Sequence, residues 1–119
     1  MTLDEQLKLA ESWLTVQRHW WAFDELNRLC HEAPLEAWAI IVKLLELTDD
    51  QEFLGDIGAN PLEYLVEHHG ALIIDAVETR AKSDARLRRA LSRVWLSTCD
   101  SALDQRLLAV GCRFIGKES

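Results

Sequence analysis

The sequence is poor in residues that interrupt helices, with only two prolines and five glycines among 119 residues. Its three cysteines, Cys30, Cys99 and Cys112, are an odd number without CxxC spacing, which predicts reduced thiols rather than disulfides or a zinc site. Cys99 falls in a predicted loop and is the thiol to test for reactivity. No apolar run approaches the roughly 18 residues of a membrane span. The first residues are acidic where a signal peptide is basic, so we expect a cytoplasmic protein.

The signatures of common catalytic and nucleotide-binding sites are also absent. The chain has no GxGxxG, GxxxxGK[ST], GxSxG or HExxH motif. Three positions before the four histidines stand Val16, Arg28, Leu65 and Val66, so the Glu-x-x-His pair of di-metal helix bundles is missing as well. We therefore expect neither an enzyme nor a bound metal or other cofactor.

Charge is present but unevenly distributed along the chain. The net charge at pH 7 is −7. Residues 1–70 hold 14 Asp and Glu against four Lys and Arg, a balance of −10, whereas residues 71–119 hold six against nine, a balance of +3. The excess of negative charge disfavours general nucleic-acid binding, because it repels the phosphate backbone.

Hydrophobic periodicity is helical throughout the sequence. With 49% apolar residues the chain can build a core, and no segment alternates for long enough to predict a strand. We expect one all-α domain over residues 1–119, a compact bundle of about eight short helices, with irregular HEAT-like stacking of helical hairpins as an option. Thr2 and Glu5 predict a capping box at the start of the first helix. The run over 35–47 is apolar on nearly all sides and predicts the central helix.

The segment 58–70, GANPLEYLVEHHG, predicts a short helix with clear ends. Asn60 is expected to be the N-cap, with Pro61 in the first helical position. Gly70 is expected to end the helix.

An alternative interpretation of this segment is an acid–base or metal site formed by Glu63, Glu67 and His69. Glu63 also suits the positive end of a helix dipole, and the histidines suit the negative end. The structural interpretation therefore accounts for every polar residue of the segment except Glu67.

Acidic residues are concentrated between Leu44 and Glu67, where seven occur without a single Lys or Arg. A surface of one charge attracts a partner of the opposite charge and speeds association. Trp21 is predicted to point away from the apolar face of a helix over about residues 20–31, and an exposed tryptophan is a frequent interface anchor. The residues expected to bind a partner are Trp21, Glu46, Asp49, Asp50, Glu52, Asp56 and Glu67.

A basic stripe is predicted on the helix that follows Ser83 or Asp84. Its arginines recur at intervals of three and four, opposite an apolar face that includes Val94 and Trp95. With the preceding lysine, the basic stripe comprises Lys82, Arg86, Arg89 and Arg93. One interpretation is a solvated face that pairs with the acidic half. The other is a docking surface for nucleic acid or an anionic ligand, with a helix-turn-helix of residues 84–98 and 102–115 as one form.

These features favour a non-enzymatic protein-binding module with a basic protein partner. The most concrete hypothesis is an immunity protein that neutralises a basic toxin domain through its acidic surface, because an acidic protein can cover a basic site without doing chemistry. The alternative is a regulator that binds nucleic acid or an anionic ligand through the basic stripe.

Several short motifs resemble those of a known family. They are Ala37-Trp38, Gly58-Ala59-Asn60-Pro61-Leu62-Glu63, His69-Gly70, Ala81 with Asp84, and Leu91 with Val94-Trp95. Over about residues 37–95 the chain resembles a family of short bacterial helical proteins known only as a domain of unknown function. The family's turn usually reads Ala-Gly-Pro-Leu-Glu, and Asn60 stands here in place of the glycine. The resemblance implies an all-helical bacterial domain, and it implies no activity.

Overall fold

The computed structural model describes residues 1–14 and 20–114, and most of these residues are helical. The prediction of an all-α fold is confirmed. The elements are α1 (Leu3–Leu14), α2 (Trp20–Glu32), α3 (Pro34–Leu47), α4 (Gln51–Ile57), a π-turn (Gly58–Leu62), α5 (Glu63–Ala81), α6 (Ala85–Leu91), β1 (Trp95–Leu96), α7 (Ala102–Ala109) and β2 (Arg113–Phe114). The two short strands pair in parallel, with Trp95 opposite Arg113.

The first helices begin at local signals that the sequence contains. The Thr2 amide donates to Glu5 Oε1 at 2.7 Å, and the Glu5 amide donates to the Thr2 hydroxyl at 3.1 Å. The predicted capping box is therefore present. α3 begins at Pro34, whose fixed φ suits the first position of a helix.

α3 lies at the centre of the fold, as predicted. It packs against α1, α2, α4, α5 and α6. All seven described helices contribute buried side chains to one hydrophobic cluster, and each fully buried aliphatic side chain stabilises the fold by about 1.5–3 kcal/mol. Within residues 1–14 and 20–114, no helix has the length and apolar character needed to cross a bilayer.

The predicted start of a helix at Asn60 is wrong, because α4, the π-turn and α5 follow one another without a break. Asn60 lies inside the π-turn, and its side-chain amide donates to the Asp56 carbonyl oxygen at 2.9 Å. Pro61 also lies within the π-turn and has no amide hydrogen to donate. The wider turn accommodates a proline that a regular helix interior would not.

The helix end expected at Gly70 falls one residue earlier, at His69, whose φ of −140° and ψ of 30° are not helical. α5 therefore consists of two helical segments that meet at a kink, with Gly70 buried beside it. Up to Ala81 the two segments are counted as one element. For this reason the described residues form seven α-helices rather than about eight.

Gly58 lies where two backbones meet. A Cβ atom at this position would be 1.8 Å from the Ala90 carbonyl oxygen, so only glycine fits. α6 therefore packs directly on the π-turn. This contact sets the distance between α6 and α4, the helices that carry many of the predicted basic and acidic site residues.

α6 is shorter than predicted, because it ends at Leu91. Val94 is fully buried as expected, but Trp95 belongs to β1 and is 42% exposed rather than packed inward. The Arg113 amide donates to the Val94 carbonyl oxygen at 2.8 Å and helps to hold the strand pair together. The helix-turn-helix interpretation requires a helix through residue 98, and β1 excludes it.

Candidate functional site

The acidic and basic segments lie against each other in the fold. α6 packs on α4 and on the end of α3. Arg86 Nε donates to Asp49 Oδ1 at 2.8 Å, and Arg86 Nη1 lies 3.4 Å from the Leu45 carbonyl oxygen and 3.5 Å from that of Glu46. A cation at the carboxyl end of a helix is favourable because it opposes the helix dipole. Arg86 therefore pairs with Asp49 and caps α3 at the same time.

Arg89 and Arg93 lie along α4. Arg89 Nε donates to the Gln51 carbonyl oxygen at 3.2 Å. Both side chains cover Gly55, since a Cβ atom there would be 3.0 Å from Arg93 Nη1 and 3.5 Å from Arg89 Nη2. Of the basic stripe, Arg86 and Arg89 thus make hydrogen bonds to α3 and α4, Arg93 lies against α4 but is largely exposed, and Lys82 is exposed.

Arg80 joins the acidic segment to the start of α6. Its Nη2 lies 3.2 Å from Glu46 Oε2, and its Nε lies 2.7 Å from Asp84 Oδ2. Asp84 is also the N-cap of α6, where its Oδ1 accepts from the amides of Arg86 and Leu87 at 3.0 and 3.1 Å. Partial burial raises the pKa of Asp84, but the Leu87 amide and the Arg80 guanidinium outweigh this and hold the pKa of the carboxyl below its usual value.

Arg106 of α7 is paired in the same way with acids of α5. Its Nη2 lies 2.6 Å from Asp75 Oδ1 and 2.5 Å from Glu78 Oε1. The hydrogen bond from Arg106 lowers the pKa of Glu78 below its usual value. Ion pairs within the chain therefore neutralise Arg80, Arg86 and Arg106, three arginines of the basic half.

Three more of the acids predicted to bind a partner lie at the start of α4 or on it. One of them makes hydrogen bonds within the chain, and the other two do not. Asp50 is the N-cap of α4, and its Oδ1 accepts from the amides of Glu52 and Phe53 at 2.8 and 3.1 Å. The side chains of Glu52 and Asp56 are exposed, and neither makes a hydrogen bond or ion pair with any of the described residues. These two carboxylates therefore have no direct ion pair among the described residues, although Arg89 and Arg93 lie over Gly55 of the same helix.

Two pairs of acids follow one another along the segment from α4 into α5. They are Glu52 with Asp56 on α4 and Glu63 with Glu67 on α5, hereafter the acidic stripe, and the π-turn separates the two pairs. Within each pair the spacing of four residues places both side chains on one helix face. Asn60 stands between the two pairs, bonded to the Asp56 carbonyl, and it lines a shallow pocket of about 170 Å³ together with Glu63 and Glu67.

A second cavity, of about 120 Å³, lies between α5, β1 and α7, and it is hereafter the α5–α7 cleft. Its carboxylates are Glu63, Glu67 and Asp104, and Trp95 stands among its apolar lining residues. None of the described residues that line it is a Lys, Arg or His. The cleft is therefore acidic, with one aromatic side chain at its surface.

Hydrogen bonds fix two of the three carboxylates in this cleft. The Trp95 amide donates to Glu63 Oε1 at 2.8 Å, which joins β1 to α5. The Thr98 hydroxyl donates to Asp104 Oδ2 at 2.6 Å, and Asp104 also completes a capping box with Ser101 at the start of α7. The Thr98 hydroxyl, followed by the Ser101 side chain and amide, lowers the pKa of Asp104 below its usual value.

The structure gives Glu63 and His69, two members of the predicted acid–base site, partners elsewhere in the chain. Glu63 holds the Trp95 amide, and His69 Nε2 donates to the His31 carbonyl oxygen at 2.9 Å. Glu67 is exposed, with its carboxylate 4.0 Å from His68 Nε2. Among residues 1–14 and 20–114, no three His, Cys, Asp or Glu side chains lie close enough together to hold a metal ion.

The site predicted from the sequence and the site in the structure differ at three residues. One predicted residue cannot be placed, and two residues of the cleft were not predicted. Trp21 is in α2, but its side chain lies outside the described part of the structure. Trp95 was missed as a surface residue because the helix before it was predicted to be too long. Asp104 was missed although a signal existed, since Ser101 followed three positions later by an acid is a capping-box pattern.

The chain belongs to a family of unknown function, DUF6869, whose sequence model matches residues 11–114. The suspected membership of a domain family of unknown function is therefore confirmed, and the match extends well beyond residues 37–95. Comparison with curated proteins and with solved structures gave no match.

Proposed function

We propose that this protein is a non-enzymatic protein-binding domain that binds a basic protein partner through its acidic stripe. The most concrete form of the proposal is an immunity protein that neutralises a basic toxin domain. The observation that carries it is the exposure of Glu52 and Asp56, whose carboxylates make no hydrogen bond or ion pair among the described residues, while Arg86 and Arg89 of the basic stripe are engaged with α3 and α4.

The spacing of the acidic stripe gives a physical reason to expect a cationic partner. Glu52 and Asp56 are four residues apart on one helix face, and so are Glu63 and Glu67. Like charges at this spacing destabilise a helix by about 0.2–0.5 kcal/mol per pair. A partner that places Lys or Arg over the stripe would relieve this repulsion, and long-range attraction would speed its association at low salt.

Co-expression in bacterial cells with basic products of neighbouring genes tests the proposal. We expect a complex that co-purifies, and rescue of growth where the product is toxic. The double variant Glu52→Lys/Asp56→Lys should weaken binding and rescue strongly. The control Glu11→Lys/Asp24→Lys makes the same change in net charge at exposed positions of α1 and α2 and should preserve both. No complex and no rescue with any such product would contradict the proposal.

The alternative function, a regulator that binds nucleic acid or an anionic ligand through the basic stripe, has less support. Lys82 and Arg93 are exposed, but Arg86 and Arg89 are engaged within the chain. Salt-sensitive binding to RNA or DNA that drops in Arg89→Ala/Arg93→Ala would favour this alternative. A cytoplasmic location and HEAT-like stacking of the helices stay predictions.

A further inference from the structure

The α5–α7 cleft has room for the end of one side chain. Its volume of about 120 Å³ is somewhat below the roughly 150 Å³ of a cavity that holds benzene. Its apolar wall includes Leu96 and Leu103, and its polar wall is formed by Glu63, Glu67 and Asp104. A side chain with an apolar stem and a charged end would match both walls.

The charge of the cleft selects a cation. Glu63 uses Oε1 for the Trp95 amide, and Asp104 uses Oδ2 for Thr98 and Ser101, so each keeps one oxygen without a described partner. Glu67 has no basic partner apart from His68 at 4.0 Å. A bound guanidinium or ammonium group would reach three carboxylates in a partly enclosed site, where charge-assisted hydrogen bonds are stronger than in open water.

Trp95 favours a guanidinium over an ammonium group. The Trp95 ring already has the Arg113 guanidinium over it, with 5.8 Å between Arg113 Cζ and the ring centroid. Arg113 is not among the described residues that line the cleft, whereas Trp95 is. Guanidinium is planar, stacks on indole and bonds carboxylates through two N–H groups, whereas ammonium is a more strongly hydrated point charge.

We propose that the α5–α7 cleft binds an arginine side chain of the basic protein partner. This inference rests on the proposed function and adds a defined contact to it. The acidic stripe attracts the partner over its length, and the cleft at the end of the stripe holds one residue in a fixed position. Glu63 and Glu67 belong to both, which makes the cleft continuous with the acidic surface.

A titration of the isotope-labelled protein with N-acetyl-arginine amide, followed by amide NMR shifts, tests the chemistry of the cleft. We expect saturable shifts centred on Trp95, Ser97 and Thr98. N-acetyl-citrulline amide, the uncharged analogue, should give none of them, and N-acetyl-lysine amide should bind more weakly. Shifts of equal size with citrulline, or shifts spread along the whole acidic stripe, would overturn the proposal, as would no shift.

Matched variants separate the cleft from the rest of the acidic stripe. Glu67→Gln removes one carboxylate that makes no hydrogen bond within the described chain, and it should weaken binding of the arginine probe about tenfold. Glu52→Gln removes the same charge outside the cleft and should change the probe affinity less than about twofold. Equal effects of the two variants would contradict a defined site.

The partner experiment distinguishes failure of this inference from failure of the proposed function. If a basic partner binds and Glu52→Lys/Asp56→Lys weakens it, but Glu67→Gln and Trp95→Leu do not, the cleft proposal is wrong and the proposed function stands. If the arginine probe binds in the cleft and no basic partner exists, the proposed function is wrong and the chemistry of the cleft stands.

Discussion

Arg86 and Asp49 join the two oppositely charged parts of the chain, since the guanidinium on α6 pairs with a carboxylate 37 residues earlier, just after α3. The same guanidinium lies against carbonyl oxygens of Leu45 and Glu46 at the end of α3. The acidic and basic surfaces that the sequence predicts separately are therefore partly paired with each other within the fold. The acids that remain free are those further along, on α4 and α5.

Replacing Arg86 by alanine should lower the free energy of unfolding by about 1–2 kcal/mol, because it removes the pair with Asp49 and the cation at the end of α3. Asp49→Asn should cost about 0.5 kcal/mol, since the Asp49 side chain is 83% exposed and an exposed ion pair is weak. Urea unfolding followed by circular dichroism measures both. Exposed Lys82→Ala is the control. Equal losses for Arg86→Ala and Asp49→Asn would assign the effect to the ion pair alone.

Gly58→Ala should destabilise the protein by about 2–4 kcal/mol, because the added Cβ would lie 1.8 Å from the Ala90 carbonyl oxygen and force α6 away from the π-turn. Gly70→Ala is a matched control, because a Cβ atom there would lie 3.4 Å from the Leu103 side chain, an ordinary van der Waals contact. Since alanine favours a helix over glycine, this variant should be neutral or stabilised by up to about 1 kcal/mol. Similar thermal unfolding of the two variants would contradict the close packing at Gly58.

The helical class of the fold could be predicted from the sequence because local signals and core periodicity agree. Thr2 with Glu5, Pro34 and Ser101 with Asp104 each mark a helix start that the structure contains. The break expected at Gly70 is present one residue earlier, as the kink at His69 within α5. What failed was the helix start at Asn60, because the π-turn carries the chain from α4 into α5 without a break.

The candidate site was less predictable because it depends on contacts distant in sequence. Nothing near Asp49 indicates that Arg86 will neutralise it, and nothing near Glu63 indicates that it will hold the Trp95 amide. Strands of two residues, such as the one that exposes Trp95, leave no alternating pattern to detect. Charge composition thus predicted an acidic surface, whereas only the fold shows which acids are left free.

The N-cap Asp84 should make stability depend on pH. The pKa of Asp84 is below its usual value in the folded protein, while that of an unfolded aspartate is about 3.9. Its contribution is therefore fully present above about pH 4 and is lost as pH falls through the folded pKa. We expect Asp84→Asn to cost about 0.5–1 kcal/mol at pH 7, because asparagine keeps an N-cap acceptor but loses the charge that pairs with Arg80, and this cost should shrink toward acidic pH.

Urea unfolding at several pH values measures this difference. The control is Asp56→Asn, because the Asp56 side chain accepts no hydrogen bond among the described residues. The free energy of unfolding of Asp56→Asn should differ little from that of the unmodified protein at every pH. A cost for Asp84→Asn that stays constant down to pH 3 would show that the carboxylate charge at this N-cap contributes nothing.

Thiol alkylation should identify Cys99 as the one fast-reacting cysteine of the folded protein. Cys30 and Cys112 are buried, and burial raises the pKa of each thiol to about 12, with the Glu63 charge adding to the effect at Cys112. Cys99 is partly exposed in the segment between β1 and α7. Because the thiolate is the reactive form, iodoacetamide at pH 8 should modify Cys99 first, and Cys99→Ser should remove the fast phase.

The other two thiols should react only as the protein unfolds, so destabilising variants such as Gly58→Ala should speed their modification and leave the rate at Cys99 unchanged. A second fast thiol in the folded protein would contradict the burial of Cys30 or Cys112.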